Sequence, residues 1–515
     1  MFAPLPSTAT FTAAQVRAAE LPLLKQQAFD DELMRQAAHA VAVVAEGMAD
    51  ADTRILLLVG PGGNGGDALY AGAELVARGY RVAAKLVYGK AHQRALAAYV
   101  KAGGTLVEEV AEDYGLIIDG IFGIGGHGGL REPMQVGRAQ VLSIDVPSGV
   151  NADTGECADF HITADVTVTF GGWRRAHAVA PECGLQLLSR DLSIGSLRLS
   201  EQLEACQQGK PGVTAFRAIK PASAFPPGIV TMERYPVASV EPGPYDDKYS
   251  GGVVGIRAGS SKYPGAALLC VAGAVTATPS MVRYAGPHAG DVVRAWPEVV
   301  VSAQVEQAGR VQAWVVGPGA GLDEGAQHDL AWILQQPVPV LLDADALTLL
   351  AQNPHFRNLV QERSETTVLT PHSGEFSRLW TAIFDVPEPD CVSATQRLAA
   401  RLGVIVLRKG RHSIVANGYN GETSIIDAGN SSAATPGSGD VLAGICGARM
   451  ARHESHEAVQ SSVLEAVTIH AVAADLSAQT AFGRGPTHAS KIAHHVSAAT
   501  ADVTVKLSTL RRKPQ

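Results

Sequence analysis

Short apolar runs rich in Val, Ile and Leu recur along the chain, and most lead directly into glycines and then into an Ala-rich stretch with helical spacing. In the first part, 55–59, 81–87, 116–118 and 141–144 read as buried strands, because their apolar positions are consecutive and do not alternate. Residues 67–78 and 91–102 read as helices between them. Ahead of the first strand, 12–49 has helical spacing, with Thr12 as an N-cap and Pro22 as a break. Strand, glycine loop and helix in repeated succession predict βα units on a parallel sheet, with the loops at its carboxyl edge.

Seven of the 28 prolines fall between Pro211 and Pro244, where the apolar periodicity lapses. That stretch reads as a domain junction. Beyond it the same grammar restarts, with strands expected at 252–256, 311–316, 338–342, 367–369 and 404–407 and a helix at 441–450. The expectation is α/β throughout, with domains at 1–212 and 245–515 joined by a proline-rich 213–244. A chain of 515 residues is long enough for two sizeable cores.

Charge narrows the partners. With 42 Lys plus Arg against 50 Asp plus Glu, the net charge is −8, which argues against nucleic acid or an anionic membrane surface as the main partner. No apolar run reaches the roughly 18 residues of a membrane span, and the first residues lack a secretory pattern, so a soluble cytoplasmic protein is expected. The six cysteines form no CxxC pair and read as core or surface thiols.

The 54 glycines matter through their placement. Strand 55–59 runs into Gly60-Pro61-Gly62-Gly63-Asn64-Gly65-Gly66-Asp67, which exceeds the needs of a turn. Such a loop lets backbone approach a ligand and aims free N–H groups at an anion. It is neither a Rossmann GxGxxG nor a P-loop, because no Lys-Ser/Thr closes it. Two further strand ends face the same edge: Asp119 leads toward Gly123-Ile124-Gly125-Gly126-His127-Gly128-Gly129, and Asp145 leads into Val146-Pro147-Ser148-Gly149. Asp119 and Asp145 sit where catalytic carboxylates of open α/β sheets sit, with capping of the next helix as the alternative.

These motifs, in this order, resemble the NAD(P)HX epimerase (YjeF N-terminal) domain over about residues 10–210. The resemblance implies a Rossmann-like fold. It also implies that Asn64, Asp119 and Ser148 ligate K+, and that Gly63, Asn64, Gly65, Gly66, Asp67, Gly123, Ile124, Gly125, Gly126, His127, Gly128 and Gly129 hold the hydrated dinucleotide. Asp145 would be the acid/base residue beside the nicotinamide ring. Gly63 departs from the family, which commonly has a second Asn there.

Near the C-terminus, Thr435-Pro436-Gly437-Ser438-Gly439-Asp440 opens a helix. Three residues with backbone donors at a helix start favour an anion, and Asp440 places a base beside it; a plain N-cap would not need the glycines. Further loops follow predicted strands: Gly317-Pro318-Gly319-Ala320-Gly321, Asp343-Ala344-Asp345, Thr370-Pro371-His372-Ser373-Gly374-Glu375 and Lys409-Gly410-Arg411-His412-Ser413. Lys409 is suited either to countering a diphosphate or to the surface. For His372 a binding role is favoured, and for Asp343 and Asp345 capping and chemistry stand equal. His470, His494 and His495 read as surface residues.

This second set resembles the ADP-dependent NAD(P)HX dehydratase domain, a relative of ribokinase-like kinases, over about 230–510. Lys248-Tyr249-Ser250-Gly251-Gly252 and Tyr263-Pro264-Gly265-Ala266-Ala267 match its opening. The resemblance implies that Ala266, Gly321, His372 and Asp440 contact the hydrate, with Asp440 catalytic. It places Lys409, Gly410, Arg411, His412, Ser413 and Gly439 on the adenine nucleotide. Thr278-Pro279-Ser280-Met281-Val282 departs from a Gly-Ala-Gly-Leu-Val run.

Both halves together resemble a bifunctional NAD(P)H-hydrate repair enzyme. That implies NADHX and NADPHX as substrates, ADP as co-substrate with Mg2+, K+ in the epimerase half, and a homo-oligomer. The competing readings are a vitamin or sugar kinase, which would release a stable phosphorylated product, and a non-catalytic scaffold.

Overall fold

The computed structural model describes residues 8–110, 113–126, 128–134, 136–190, 192–207, 212–221, 225–453 and 455–504. Residues up to 215 with 221–233 form one compact unit, and 216–220 with the chain from 234 onward form the other.

The N-terminal unit is built on a sheet whose strands lie in the order Ile229–Thr231, Leu185–Ser189, Val166–Phe170, Gln140–Ile144, Leu116–Gly120, Arg54–Val59, Arg81–Leu86 and Thr105–Leu106. All pair in parallel except Ile229–Thr231, which adds to one edge antiparallel. The central runs are apolar on both faces. Ile55, Leu57 and Val59 enter one core with the helices Glu32–Met48 and Gly63–Ala77, while Leu56 and Leu58 enter a second core with Ile117 and Val141. The chain runs outward from Arg54–Val59 in both directions. The crevice between that strand and Leu116–Gly120 is therefore the topological switch point, the usual ligand site of such sheets.

The C-terminal unit repeats the plan in the order Val300–Ser302, Val282–Ala285, Val254–Arg257, Ala313–Val316, Val340–Leu342, Thr367–Leu369, Ile405–Arg408, His412–Asn417 and Thr423–Asp427. Pairing is parallel as far as Ile405–Arg408 and antiparallel across the last two strands. Alternation along the strands loads two cores: Val315, Leu341 and Val368 face one, and Trp314, Val316, Leu342 and Leu369 face the other. Each strand is covered on both sides, which is why it reads as a continuous apolar run.

Local departures from the sequence reading have physical causes. Thr12 caps Ala13–Lys25 through a capping box with Gln15, but Pro22 lies inside that helix in its last turn and does not break it. The two glycine-led helices start early, at Gly63 and Ser438, because glycine's poor helix propensity hides a first turn that tertiary contacts enforce. The proline-rich stretch holds the strands Val213–Arg217 and Ile229–Thr231, the latter at a sheet edge where neighbouring prolines interrupt no ladder. Residues 409–411 connect an antiparallel pair, and His412 and Ser413 begin its second strand. Among the described residues no helix is long and apolar enough to cross a membrane.

Candidate active sites in the two units

In the N-terminal unit the loop after Arg54–Val59 closes tightly. A Cβ at Gly65 would lie 2.0 Å from the Gly60 carbonyl oxygen, so only glycine fits there. Helix Gly63–Ala77 has Gly62 as its N-cap and no side-chain cap, leaving its first N–H groups for a ligand.

Asn64, Asp119 and Ser148 converge just beyond. The fully buried Asp119 accepts from Ser148 Oγ (2.6 Å), Ser148 N (2.8 Å), Ser143 Oγ (2.9 Å) and Ile121 N (3.2 Å). Burial raises its pKa and these bonds from the serines and Ile121 oppose the rise. Asp119 therefore ties strand ends and loops together and does not cap a helix. Asn64 Nδ2 donates to the carbonyls of Phe122 (2.9 Å) and Ile144 (2.7 Å), and Ser148 Oγ accepts from Phe122 N (2.9 Å).

Asp145 follows Gln140–Ile144 with φ 67°, at the centre of a three-residue turn closed by Val146 N–H to Ile144 O (2.9 Å). A γ-turn with positive φ is the rarer, strained hand. Its carboxylate, 5% exposed as a residue, pairs with Arg174 (3.0 Å) and accepts from Thr169 Oγ1 (2.9 Å) and Ile124 N (3.3 Å). Two more acids join it electrostatically. Burial raises Asp67 well above the ordinary range, with added push from Asp145 and Glu20; burial also raises Glu20 against the pull of Arg174. The structure thus brings Asp145 and Glu20 to one buried guanidinium, with Asp67 within electrostatic reach of both acids. Arg174, Thr169 and Glu20 were not singled out from sequence. The β-branched run VTVTF at Val166–Phe170 was the signal available for the strand that carries Thr169 and leads to Arg174.

In the C-terminal unit helix Ser438–Met450 begins from Gly437 in the left-handed region, with no side-chain cap. It packs on Pro264–Ala277 so closely that a Cβ at Gly444 would lie 2.0 Å from the Cys270 carbonyl oxygen. The helix's first turn presents Asp440, whose carboxyl is pushed up to about 7 by burial and then by Asp343, against the opposing pull of Lys409. Lys409 Nζ lies 2.5 Å from Asp343 Oδ1 and 3.9 Å from Glu375 Oε2. Burial lowers its pKa, but Asp343 and Glu375 outweigh burial and raise it. A Cβ on Gly439 would stand 3.4 Å from Nζ, placing the ammonium beside the helix mouth.

The neighbouring loops settle several open alternatives. Asp345 Oδ2 accepts from Gly321 N (2.8 Å), and Ala344, not an aspartate, occupies the N-cap of Asp345–Gln352 at φ 49°. Asp343 and Asp345 therefore hold the site together and cap nothing. His372 caps Ser373–Ile383 in a box with Glu375, its half-exposed ring near Glu375. Ala266 lies in the first turn of Pro264–Ala277. Ser413 Oγ donates to Gly410 O (3.0 Å), and Arg411 and His412 both stand 3.5 Å from Asp427. His470, expected at the surface, is instead buried, hydrogen-bonded to Ser438 Oγ at 2.9 Å, and lowered to about 4 by burial.

Known families match both units. A model for the YjeF-related protein N-terminus matches residues 30–176, and a model for NAD(P)H-hydrate dehydratase matches residues 254–495. The bifunctional NAD(P)H-hydrate repair enzyme Nnr of Corynebacterium glutamicum is 43% identical over 570 residues, covering 96% of this chain and 99% of that protein. The chain belongs to the bifunctional NAD(P)H-hydrate repair enzymes. The repair enzyme of Mycobacterium tuberculosis is likewise 43% identical, over 86% of this chain and 89% of that protein. This repair enzyme is also similar to a solved ADP/ATP-dependent NAD(P)H-hydrate dehydratase from Bacillus subtilis co-crystallised with ATP and Mg2+, at 26% identity and TM-score 0.42 over 52% of this chain and 93% of that one.

Within the repair enzyme the residues expected from sequence fall into two groups. Asn64, Asp119, Ser148 and Asp145 are linked through Phe122, Ile124 and Ile144. Gly439, Asp440, Lys409, Asp343 and Glu375 form the second group. His127 lies outside the described residues. All six cysteines are free thiols.

Proposed function

We propose that the N-terminal unit interconverts R and S NAD(P)HX and that the C-terminal unit converts S-NAD(P)HX to NAD(P)H with ADP, yielding AMP and phosphate. The observation that carries this reading is the near end-to-end likeness to bifunctional repair enzymes, with a carboxylate at the candidate site of each unit: the buried Asp145, and Asp440 at its helix start.

In the epimerase unit Asp145 is the acid/base group. It delivers a proton as the C6–hydroxyl bond breaks, and takes one back as water adds to the opposite face. Arg174, Thr169 and the Ile124 N–H hold its two oxygens. Asn64, Asp119 and Ser148 fit K+ by the chemistry of their side chains, each of which carries a hard oxygen and each of which lies at or just beyond the carboxyl end of a different strand. A bound K+ would offset the negative charge of Asp119 near a substrate diphosphate. The free N–H groups of Gly63–Ala77 and the loop Gly123–Gly129 receive the dinucleotide.

In the dehydratase unit Asp440 takes the proton of the 6-hydroxyl as its oxygen bonds to the β-phosphorus of ADP and the bond to AMP breaks. Phosphate then leaves the ring, pushed by the ring nitrogen, and loss of the C5 proton restores the double bond. Hydroxide alone is a poor leaving group, which is why a phosphoryl donor is needed. The open helix start at Ser438 stabilises the moving phosphoryl group, and Lys409 with residues 410–413 receives the nucleotide, which would bring Mg2+ with it. Ala266, Gly321 and His372 line the hydrate side.

Incubating the purified chain with mixed R and S NADHX tests this. Without ADP the epimer ratio should relax to equilibrium, and with ADP both epimers should disappear into NADH. A stable phosphorylated product would support the kinase reading, and no change in either arm would support a scaffold.

A further inference from the structure

Asp145 is strained at its backbone, and both of its backbone polar groups are anchored. Its N–H donates to Val168 O (2.7 Å), and its carbonyl lies 2.6 Å from His177 Nε2. The other ring nitrogen, Nδ1, accepts the backbone N–H of Arg174 at 3.0 Å. A nitrogen that accepts carries no proton, so Nε2 carries it and donates to Asp145 O. The imidazole is fully buried, with Trp173 edge-on at 6.0 Å between ring centroids. Burial, with the Arg174 charge, lowers its pKa to about 4, so the ring stays neutral and keeps both bonds at ordinary pH.

We propose that His177 is a positioning residue for epimerisation: it clamps the strained turn at Asp145 and the backbone of Arg174, and so fixes both members of the Asp145–Arg174 pair. The same Arg174 whose amide fixes the ring sends its guanidinium 3.0 Å from Asp145 Oδ1. One imidazole therefore sets the carbonyl end of Asp145 and the partner of its carboxylate. Without the bond to its carbonyl, the strained turn keeps only its closing bond and the Val168 anchor, and the carboxylate shifts from the ring carbon it serves. A misplacement of about 1 Å costs about 100-fold in rate. Dinucleotide binding by the glycine loops is left in place. The inference rests on the acid/base reading of Asp145.

Two amides divide the roles of the ring. His177→Gln can place a donor where Nε2 stands, whereas His177→Asn keeps an acceptor near the Arg174 N–H and loses the reach to Asp145 O. In the full chain, His177→Asn should lower the epimerisation kcat by about 30-fold or more with KM within about twofold, and His177→Gln should recover to within about fivefold of wild type. Dehydration of S-NADHX should be unchanged in both. Asp145→Asn runs alongside: wild-type epimerisation there overturns the role of Asp145. An inactive Asp145→Asn with a wild-type His177→Asn overturns the role of His177 alone, as do equal losses in the two amide variants. If either variant is insoluble, 15N-histidine NMR of the wild type decides. A neutral Nε2–H tautomer for His177 from pH 5 to 8 is expected, and an Nδ1–H tautomer or an imidazolium there refutes the clamp.

Discussion

The Asp343→Asn substitution tests whether the charge cluster around Asp440 sets the pH dependence of dehydration. Burial and the Asp343 charge push the Asp440 carboxyl up to about 7, and as the proposed base it must be ionised, so kcat/KM should fall as the pH drops through that value. One unit below the midpoint, about a tenth of the plateau remains. Among neighbouring charges Asp343 is the largest that raises Asp440, and it also holds the Lys409 ammonium at 2.5 Å. Replacing its carboxylate with an amide removes the repulsion and leaves the ammonium free to act on Asp440. A unit charge several ångströms away in an effective dielectric near 20 is worth ~1–2 kcal/mol, about one pH unit. The acid limb should therefore move to about pH 6, raising kcat/KM at pH 6 from about a tenth to about half of each protein's own plateau. The assay follows restored NADH absorbance from S-NADHX and ADP between pH 5 and 9. The plateau itself is free to drop, since Lys409 loses its partner, and only the midpoint is read. An unmoved or raised midpoint would refute the assignment of the limb to Asp440 under the control of Asp343. The epimerisation profile, belonging to the other unit, should not shift.

Asp440→Asn should abolish ADP-dependent dehydration while R/S epimerisation continues at the wild-type rate; residual dehydration within tenfold of wild type would sink the role of Asp440. Asn64→Ala should weaken the dependence of epimerisation on K+, read as a higher half-saturation concentration, and equal values in both proteins would mean that Asn64 only shapes the loop. Burial raises Asp67 above its ordinary 3.8, so the folded state binds its proton more tightly. The stability this contributes is present below that value and is lost as the pH rises through the folded pKa. Asp67→Asn should accordingly raise the Tm of the N-terminal transition by ~2 °C or more at pH 8 but little at pH 4, and an equal gain at both would point to packing. Gly444→Ala gains about 1 kcal/mol of helix propensity yet forces a methyl group into the Cys270 carbonyl, so a net loss of ~2–3 kcal/mol in urea unfolding of the C-terminal unit is expected; a net gain would show that the two helices can part.

The parts legible in the sequence are those where one residue type does one job. Buried parallel strands announce themselves because both faces are apolar, so Thr367–Leu369 was placed to the residue and Arg54–Val59 to within one. Glycine loops mark sites because close backbone approach excludes every other residue, as at Gly65. What stayed hidden depends on distance in space and not along the chain. Arg174 gains its meaning from Asp145, 29 positions earlier, and Lys409 from Asp343, 66 positions earlier. His470 read as a surface residue, yet helix His456–Ala478 is buried nearly throughout and carries it to Ser438. The same logic separates the two proposed catalytic carboxylates. Asp440 is displayed by a glycine-opened helix start whose sequence advertises it, and its protonation is then tuned by Asp343, Asp345 and Glu375, acids that follow two other strands. Asp145 is displayed by a strained turn that no local residue choice requires, so its geometry must be imposed from outside, by the Val168 carbonyl on one side and the His177 ring on the other.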